Sequence, residues 1–254
     1  MGGKLSIIQP GSGFRAGLDS VLLGASIPQE ARNLLDLGAG VGVAGLTALT
    51  HDPALEAVFA EIDPQTADLA RGNIAENGFA YRATVLTLDV LAPGNTRKAA
   101  GLGSDLFDAV IANPPYFAAG TLAPDRTRAQ ARHMESDALD GWVRTAVSSA
   151  HAQGSVIFIH AAEALPQLLA AFDARMGNIM VLPLCPRPGM AASRVLVRGQ
   201  KGSRAPLTLL PQMSLHDADG HGFSPRFNAI FRGTARLDWH MARQDPTSGR
   251  TDSV

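Results

Sequence analysis

The chain has 254 residues, of which 46% are hydrophobic, so it is long enough to bury a sizeable core in one large domain. Its formal net charge of −1 gives no global sign of nucleic-acid binding, so any basic surface must be local. Cys185 is the single cysteine, which excludes an intrachain disulfide and a zinc site built from several thiolates. No segment approaches the roughly 20 apolar residues of a membrane span, so we expect a cytoplasmic protein with no membrane partner. His216 and His221 have no partner ligands at a metal-binding spacing, so we expect no metal, and the oligomeric state stays open.

Short apolar runs alternate with helical segments through the middle of the chain. Strands are expected at Asn33–Leu37, Leu55–Ala60, Tyr81–Leu88, Leu106–Ala112, Ser155–His160 and Asn178–Leu182. Helices are expected at Val43–Leu49, from Pro64 to about Asn77 with Gly78 as its stop signal, from Asp137 to Gln153, and at Ala162–Arg175. This alternation predicts a parallel sheet that helices cover on both faces.

The pattern changes after Pro183. Ser193–Gly199 and Pro206–Pro211 are expected to be antiparallel edge strands. We divide the chain into an N-terminal segment (1–32), a main domain (33–240) and a polar tail (241–254) that is expected to be flexible.

The turn after the first strand is rich in glycine, with the sequence Asp36-Leu37-Gly38-Ala39-Gly40-Val41-Gly42. Glycines permit a tight turn and let backbone N–H groups approach a ligand. A dinucleotide-binding fingerprint requires Gly or Ala where this chain has Val43, whereas the spacing acid-x-Gly-x-Gly-x-Gly is complete. That spacing resembles the S-adenosylmethionine loop of class I methyltransferases, and a glycine-rich turn without a ligand is the alternative.

Carboxylates follow the second and third strands. Glu61 lies 19 residues after Gly42 (61 − 42 = 19), near the roughly 20-residue spacing of a carboxylate that accepts hydrogen bonds from ribose hydroxyls. Asp63 precedes Pro64, where its carboxylate can cap the helix. Asp89 follows the third strand, where related enzymes hold the adenine amine of the cofactor. An exposed strand-end charge is the alternative for Glu61, and an ordinary loop aspartate for Asp89.

The sequence Asn113-Pro114-Pro115-Tyr116 follows the fourth strand. Two consecutive prolines cannot continue a central strand or lie inside a helix, so the chain must turn there. Ligands bind at this carboxyl edge of open α/β sheets. The oxygens of Asn113 and Pro114 and the ring of Tyr116 suit a planar NH2 group, because the oxygens accept its hydrogens and the ring stacks on its π face.

The glycine turn, Glu61, Asp89 and the Asn113–Tyr116 turn, in this order, resemble those of amino-directed class I methyltransferases. The resemblance implies a Rossmann-like α/β fold with a mainly parallel seven-stranded sheet, helices on both faces and antiparallel C-terminal edge strands. It implies S-adenosyl-L-methionine as the cofactor and S-adenosyl-L-homocysteine as the product. The implied catalytic residues are Asn113, Pro114, Pro115 and Tyr116. The implied cofactor-binding residues are Arg15, Asp36, Gly38, Ala39, Gly40, Gly42, Glu61, Ile62, Asp89, Val90 and Asn113.

The segment Gly13–Ala25 narrows this resemblance. It is similar to the segment that precedes the first strand in bacterial tRNA(Val) adenine-N6 methyltransferases, and Ala131–Glu135 and Leu215–Gly220 also match that family. Glutamine-directed relatives usually have a helical N-terminal domain of several dozen residues. In this chain only about 32 residues precede the first strand, which favours the adenine-directed family. We interpret these residues, 1–32, as a segment that caps the cofactor site, with Arg15 near the methionine carboxylate. An ion pair between Arg15 and Asp19 is the alternative.

RNA binding requires positive charge, and the chain has no acidic residue between Asp173 and Asp217. The basic residues of this interval are Arg175, Arg187, Arg194, Arg198, Lys201 and Arg204. The loop after Tyr116 adds a second basic group. The residues expected to bind substrate are Tyr116, Arg126, Arg128, Arg132, Arg194, Arg198 and Lys201. For each arginine taken singly, a solvated surface position is the alternative.

The sequence thus predicts an S-adenosylmethionine-dependent enzyme that methylates the exocyclic amine of an adenine, in tRNA. Methylation of a protein glutamine amide is the alternative among methyltransferases, because the Asn113–Tyr116 turn suits both amines. A nucleotide-binding dehydrogenase and a non-catalytic nucleotide binder are alternatives from other classes. Val43 argues against the first of these, and the intact Asn113–Tyr116 turn argues against the second.

Overall fold

The computed structural model describes residues 2–11, 17–115, 125–217 and 222–239, and it describes the side chains of the helix that begins at 125 from residue 137 onward. The α-helices of these residues are α1 (Leu18–Ala25), α2 (Val43–His51), α3 (Pro64–Glu76), α4 (Gly94–Ala99), α5 (Asp125–Ser149), α6 (Leu165–Asp173) and α7 (Pro225–Phe231). The strands are β1 (Asn33–Leu37), β2 (Glu56–Glu61), β3 (Ala83–Thr87), β4 (Phe107–Ala112), β5 (Ala150–Ala161), β6 (Met176–Cys185), β7 (Arg194–Lys201), β8 (Thr208–Leu209) and β9 (Met213–Ser214). All of them belong to one sheet.

The strand order is β3-β2-β1-β4-β5-β7-β6-β8, with β9 also paired to β6. The pairs among β1 to β5 are all parallel, in the order 3-2-1-4-5 that begins the doubly wound fold. β7 lies between β5 and β6 and is antiparallel to both. This arrangement confirms the expected mainly parallel sheet and the antiparallel direction predicted for Ser193–Gly199. The predicted edge position of this strand is wrong, because β7 has neighbours on both sides. The described residues form a nine-stranded sheet and not the expected seven-stranded one, because the short β8 and β9 pair with β6.

The predicted antiparallel strand Pro206–Pro211 is wrong in direction and length. Only Thr208–Leu209 forms a strand, and it pairs in parallel with Met180 and Val181 of β6. β7 already has neighbours on both sides, so the chain that leaves it cannot return beside it as a hairpin. The chain instead reverses at Gly202 (φ 77°) and runs along β6 in the direction of β6.

The predicted helix from Asp137 to Gln153 is wrong at both ends. The helix begins at Asp125 and ends at Ser149, and the next residue already belongs to β5. The Ala150 carbonyl accepts from Lys201 Nζ at 2.7 Å, and the Gln153 carbonyl accepts from Gln200 Nε2 at 3.2 Å. These contacts with β7 hold the start of β5 in an extended, bulged form that sequence periodicity does not reveal.

The core has two hydrophobic layers, one on each face of the sheet. Alternate strand residues face opposite layers, so that Leu34 packs with α1, α2 and α7 whereas Leu35 packs with α5 and α6. Both side chains are fully buried. The double covering predicted from the alternating pattern is therefore confirmed.

Capping residues define the ends of α3. Asp63 Oδ2 accepts from the Thr66 backbone N–H at 2.8 Å, and Pro64 occupies the first turn. At the other end Gly78 has φ of 74°, and the N–H groups of Gly78 and Phe79 donate to the carbonyls of Ala75 and Ile74, which is a Schellman motif. The predicted N-cap and stop signal are both confirmed.

Candidate active site

The strand register brings three predicted site residues to one edge of the sheet. Leu37 of β1 pairs with Ala60 of β2 and with Ala112 of β4. The next residues along these strands are Gly38, Glu61 and Asn113, so all three stand in one row at the carboxyl ends of adjacent parallel strands. This is the edge where open α/β sheets bind ligands.

The glycine turn has a backbone that only glycine adopts readily. Gly38, Gly40 and Gly42 have φ values of 64°, 57° and 91°. The Ala39 N–H donates to the Ala60 carbonyl at 3.0 Å, and the Gly42 N–H donates to the Ala39 carbonyl at 2.9 Å. The turn is therefore pinned to β2 before it enters α2.

The Glu61 side chain is bound to the glycine turn. Its Oε2 accepts from the Gly40 N–H at 2.8 Å, and its Oε1 accepts from the Asp63 N–H at 2.9 Å. Only 9% of Glu61 is exposed, although it ends a strand. Each carboxylate oxygen has two lone-pair positions, so these backbone bonds leave acceptor capacity for a ligand. The alternative of an exposed strand-end charge does not describe this residue.

Asp36 caps the first turn of α2 from the neighbouring strand. Gly42 is the N-cap of α2 and has no side chain, and Asp36 Oδ2 accepts from the Gly45 N–H at 2.8 Å in its place. Burial raises the pKa of Asp36 from 3.8 to about 7; the Gly45 bond lowers that pKa, and the nearby Glu61 charge raises it. Asp36 therefore fixes the start of α2, directly after the glycine turn.

Two residues that sequence reasoning did not assign to the site support the turn by close packing. A Cβ atom on Gly38 would lie 2.3 Å from the Trp142 ring, and a Cβ on Gly45 would lie 2.3 Å from the Phe59 ring. Trp142 comes from α5, far along the chain, and no local pattern signals this contact. A glycine inside a helical pattern, as at Gly45, is the signal that could have indicated a close approach.

The predicted adenine side of the site combines acid and exposed apolar groups. Asp89 is exposed, and its Oδ1 accepts from the Leu91 N–H at 2.8 Å. Ile62 is 61% exposed and Leu91 is 45% exposed, so both offer apolar surface to a ligand at this edge. The Val90 side chain is buried, and its carbonyl accepts from Thr145 Oγ1 at 2.7 Å. Val90 therefore fixes the loop, whereas Ile62 offers apolar surface.

The Asn-Pro-Pro turn follows β4 as predicted. Asn113 is half-buried, Pro114 is buried and Pro115 is exposed. Burial of Pro114 anchors the turn in the sheet edge beside Gly38. Tyr116 lies outside the described residues, as do Arg15 and the side chains of Arg126, Arg128 and Arg132.

Arg194 lies at the same carboxyl edge, because it pairs with Ala161 of β5 and Leu184 of β6. Its Nε donates to Asp19 Oδ2 at 2.8 Å. This ion pair joins β7 to α1. Of the predicted substrate-binding residues whose side chains are described, Arg194 is the one nearest in register to the glycine turn.

Arg198 and Lys201 lie farther down β7. Arg198 is half-buried, its Nε donates to Ser155 Oγ at 3.2 Å and its guanidinium lies 6.0 Å from the Trp239 ring centre. Burial lowers the pKa of Arg198. Lys201 Nζ lies 2.6 Å from Asp105 Oδ1 at the amino edge of the sheet. The basic run is therefore spread over both edges and does not form one patch.

The part of the chain that the structure describes holds neither a metal-ligand cluster nor a membrane-spanning helix. The residues within 2–11, 17–115, 125–217 and 222–239 contain no group of three His, Cys, Asp or Glu side chains that could hold a metal ion. Among those residues, no helix is long and apolar enough to cross a membrane.

Comparison with known proteins shows the family of the chain. The family model described as Methyltransferase small domain matches residues 15–137, which span the glycine turn, Glu61, Asp89 and Asn113. The tRNA1(Val) (adenine(37)-N6)-methyltransferase of Porphyromonas gingivalis is 30% identical over 237 residues, or 88% of this chain and 89% of that protein. The chain belongs to this methyltransferase family. The family resemblance inferred from the segment Gly13–Ala25 is therefore confirmed.

Another relative and two solved structures similar to this chain are also described as methyltransferases. The methyltransferase of the same name from Shewanella loihica is 37% identical over 131 residues, which cover 50% of this chain and 52% of that protein. A solved structure from Agrobacterium tumefaciens, described as a predicted O-methyltransferase, superimposes on this methyltransferase with a TM-score of 0.74 at 29% identity. It covers 86% of this chain and 98% of its own. The tRNA (m1A58) methyltransferase of Aquifex aeolicus shares the fold, with a TM-score of 0.52 at 16% identity over 77% of this chain and 72% of its own.

Proposed function

We propose that this methyltransferase transfers a methyl group from S-adenosyl-L-methionine to the exocyclic amine of an adenine in tRNA. The observation that carries the proposal is the row formed by Gly38, Glu61 and Asn113 at the carboxyl edge of the sheet. The names of the relatives, which specify adenine and tRNA1(Val), support the substrate. We expect the enzyme to act in the cytoplasm, where its tRNA substrate would be found.

The residues around the glycine turn fit the cofactor. Gly38, Gly40 and Gly42 allow the positive φ values of the turn, and a Cβ on Gly40 would meet open space, so a ligand can approach the backbone there. The Glu61 carboxylate would accept from the ribose hydroxyls, Ile62 would pack on the adenine ring, and Asp89 would accept from the adenine amine. Arg15 would pair with the methionine carboxylate. Bound S-adenosylmethionine would supply an electrophilic methyl group on a sulfonium.

The Asn113–Tyr116 turn positions the nucleophile. The Asn113 side-chain oxygen and the Pro114 carbonyl accept hydrogen bonds from the adenine NH2 group, which favours lone-pair character on its nitrogen. Tyr116 stacks on the base plane. Held in this way, the nitrogen would accept the methyl group that bound S-adenosylmethionine supplies, with the thioether as the leaving group, and would then lose its extra proton to solvent. Positioning of the two reactants carries most of the catalysis, so no strong base is required.

The tRNA docks on the carboxyl edge of the sheet, where the target base enters. Arg187 follows β6 at this edge and is exposed, and Arg194 begins β7 at the same edge. Arg126, Arg128 and Arg132 follow the catalytic turn in sequence and belong to the first turns of α5, not to the loop predicted from the sequence. Contacts of Arg198 and Lys201 with RNA stay predictions, and their partners Ser155 and Asp105 favour a structural role.

The alternatives have less support. A protein glutamine amide would fit the Asn113–Tyr116 turn equally well, but the Porphyromonas gingivalis relatives, which align over most of the chain, are named for adenine in tRNA. A dehydrogenase would require a small residue at Val43, and the Val43 side chain is buried at the start of α2.

Transfer of radiolabelled methyl groups to total tRNA, followed by nucleoside analysis, tests the proposal. The tRNA comes from a strain that lacks this protein, and purified release factor serves as the competing substrate. We expect label in N6-methyladenosine and none in the release factor. Label in the protein alone would overturn the adenine assignment.

The variant Asn113→Ala tests the catalytic turn. We expect it to retain S-adenosylhomocysteine binding and to lose turnover by about a hundredfold or more, because the amide oxygen positions the amine. Isothermal titration and single-turnover methylation measure the two quantities. Full turnover by Asn113→Ala would remove Asn113 from catalysis.

A further inference from the structure

Asn73 of α3 and Asn77, the C-cap residue of that helix, hold the N-terminal strap, which we define as residues 5–9. Asn77 Oδ1 accepts from the Ser6 N–H at 2.9 Å, and its Nδ2 donates to the Ser6 carbonyl at 2.7 Å. Asn73, one helical turn earlier, makes the same pair of bonds with Ile8, at 2.8 Å and 3.0 Å. Each side-chain amide thus binds both backbone groups of one strap residue, as a neighbouring strand would.

Asn73 makes one further bond that Asn77 lacks. Its Nδ2 also donates to the Val41 carbonyl at 3.0 Å, and Val41 lies between Gly40 and Gly42 in the glycine turn. Asn73 is fully buried, whereas the further bond of Asn77 Nδ2 goes to the Asn73 carbonyl of its own helix. Of these two asparagines, therefore, Asn73 is the one that connects the strap to the glycine turn.

The side chains of the strap also line a cavity beside the glycine turn. Those of Leu5, Ile7 and Gln9, which alternate with the clamped residues, line a cavity of about 310 Å³ together with α1 and Val43. Val43 is the first residue of α2 and directly follows the turn. The strap is thus linked to Val41 through Asn73, and its side chains share a cavity with Val43 on the other side of Gly42.

We propose that Asn73 is a positioning residue that transmits the docking of the N-terminal strap to the backbone of the glycine turn. Glycines on both sides of Val41 leave the backbone there flexible. The peptide that joins Val41 to Gly42 is held at its N–H by a bond within the turn, to the Ala39 carbonyl, and its carbonyl takes a hydrogen bond from outside the turn. Asn73 supplies that bond and is itself oriented by Ile8. The inference rests on the proposed function, because it assumes that the turn binds S-adenosylmethionine.

The matched variants Asn73→Ala and Asn77→Ala test the inference. Both remove the two strap bonds of one asparagine, but only Asn73→Ala frees the Val41 carbonyl. We expect Asn73→Ala to raise the Kd for S-adenosylhomocysteine and the KM for S-adenosylmethionine about tenfold, with kcat changed less than about threefold. Asn77→Ala should change these binding constants less than about twofold. Equal effects of the two variants on cofactor affinity would overturn the inference.

Backbone variants keep the test decisive if Asn73→Ala does not fold. Ile8→Pro removes the N–H that donates to Asn73, and Ser6→Pro removes the N–H that donates to Asn77, and both side chains are exposed. We expect Ile8→Pro to weaken S-adenosylhomocysteine binding about threefold and Ser6→Pro to leave it unchanged. An Ile8→Pro variant that binds as tightly as Ser6→Pro would contradict the coupling. Failure of the wild-type protein to bind S-adenosylhomocysteine would instead count against the proposed function.

Discussion

Asp36 is a buried acid whose protonation is coupled to the glycine turn. Its pKa is raised from 3.8 to about 7, mainly by burial, so the folded state holds a proton between these values that the unfolded state releases. The free energy of unfolding should therefore fall as the pH rises from about 4 to about 7, by up to about 1.4 kcal/mol per pH unit, and then level off.

The variant Asp36→Asn checks this dependence. Its amide oxygen can still accept from the Gly45 N–H but does not titrate, so its stability relative to wild type should increase between pH 5 and pH 7. Urea unfolding at several pH values measures this difference. Asp63→Asn is the control, because hydrogen bonds from Thr66 lower the pKa of Asp63 and place its titration below this window. Parallel pH profiles of Asp36→Asn and the wild type would refute the assigned pKa.

Close helix packing behind the site depends on Gly24 of α1. A Cβ atom there would lie 2.2 Å from the Ala44 carbonyl oxygen of α2 and 2.7 Å from the Thr47 Cβ. Gly24→Ala should therefore destabilise the fold by about 1–3 kcal/mol, because α1 and α2 must separate. Gly72→Ala in α3 meets open space and should instead stabilise by about 0.5–1 kcal/mol. Thermal unfolding of both variants gives the comparison, and a neutral Gly24→Ala would contradict the tight crossing.

The basic residues between Asp173 and Asp217, an interval without acidic residues, lie at two opposite edges of the sheet. Arg187 follows the carboxyl end of β6, whereas Arg204 follows β7 at the amino edge, and both side chains are exposed. If tRNA docks at the carboxyl edge, Arg187→Glu should raise the KM for tRNA about tenfold at low salt, and Arg204→Glu should leave it within about twofold. Equal effects of the two charge reversals on the KM for tRNA would indicate that the RNA docks elsewhere on the protein.

Features that depend on neighbouring residues could be predicted from the sequence. The acid-x-Gly-x-Gly-x-Gly spacing predicted a turn that needs positive φ, and all three glycines have it. The prolines at 114 and 115 predicted where β4 stops, because proline lacks the N–H that a central strand requires. Asp63, Pro64 and Gly78 predicted the ends of α3, because caps act within one helical turn.

Features that depend on strand order and register were decided by the tertiary structure. The partners of the glycine turn, Trp142, Phe59 and Asn73, come from α5, β2 and α3, and nothing in their own neighbourhoods indicates the contact. The basic run looked continuous in sequence, but β7 carries it across the sheet from Arg194 at the carboxyl edge to Lys201 at the amino edge. The sequence by itself thus determined the local backbone geometry and the cofactor chemistry. Only the packing of distant elements decided which side chains hold that geometry and which charges face the site, because those contacts join residues far apart in the chain.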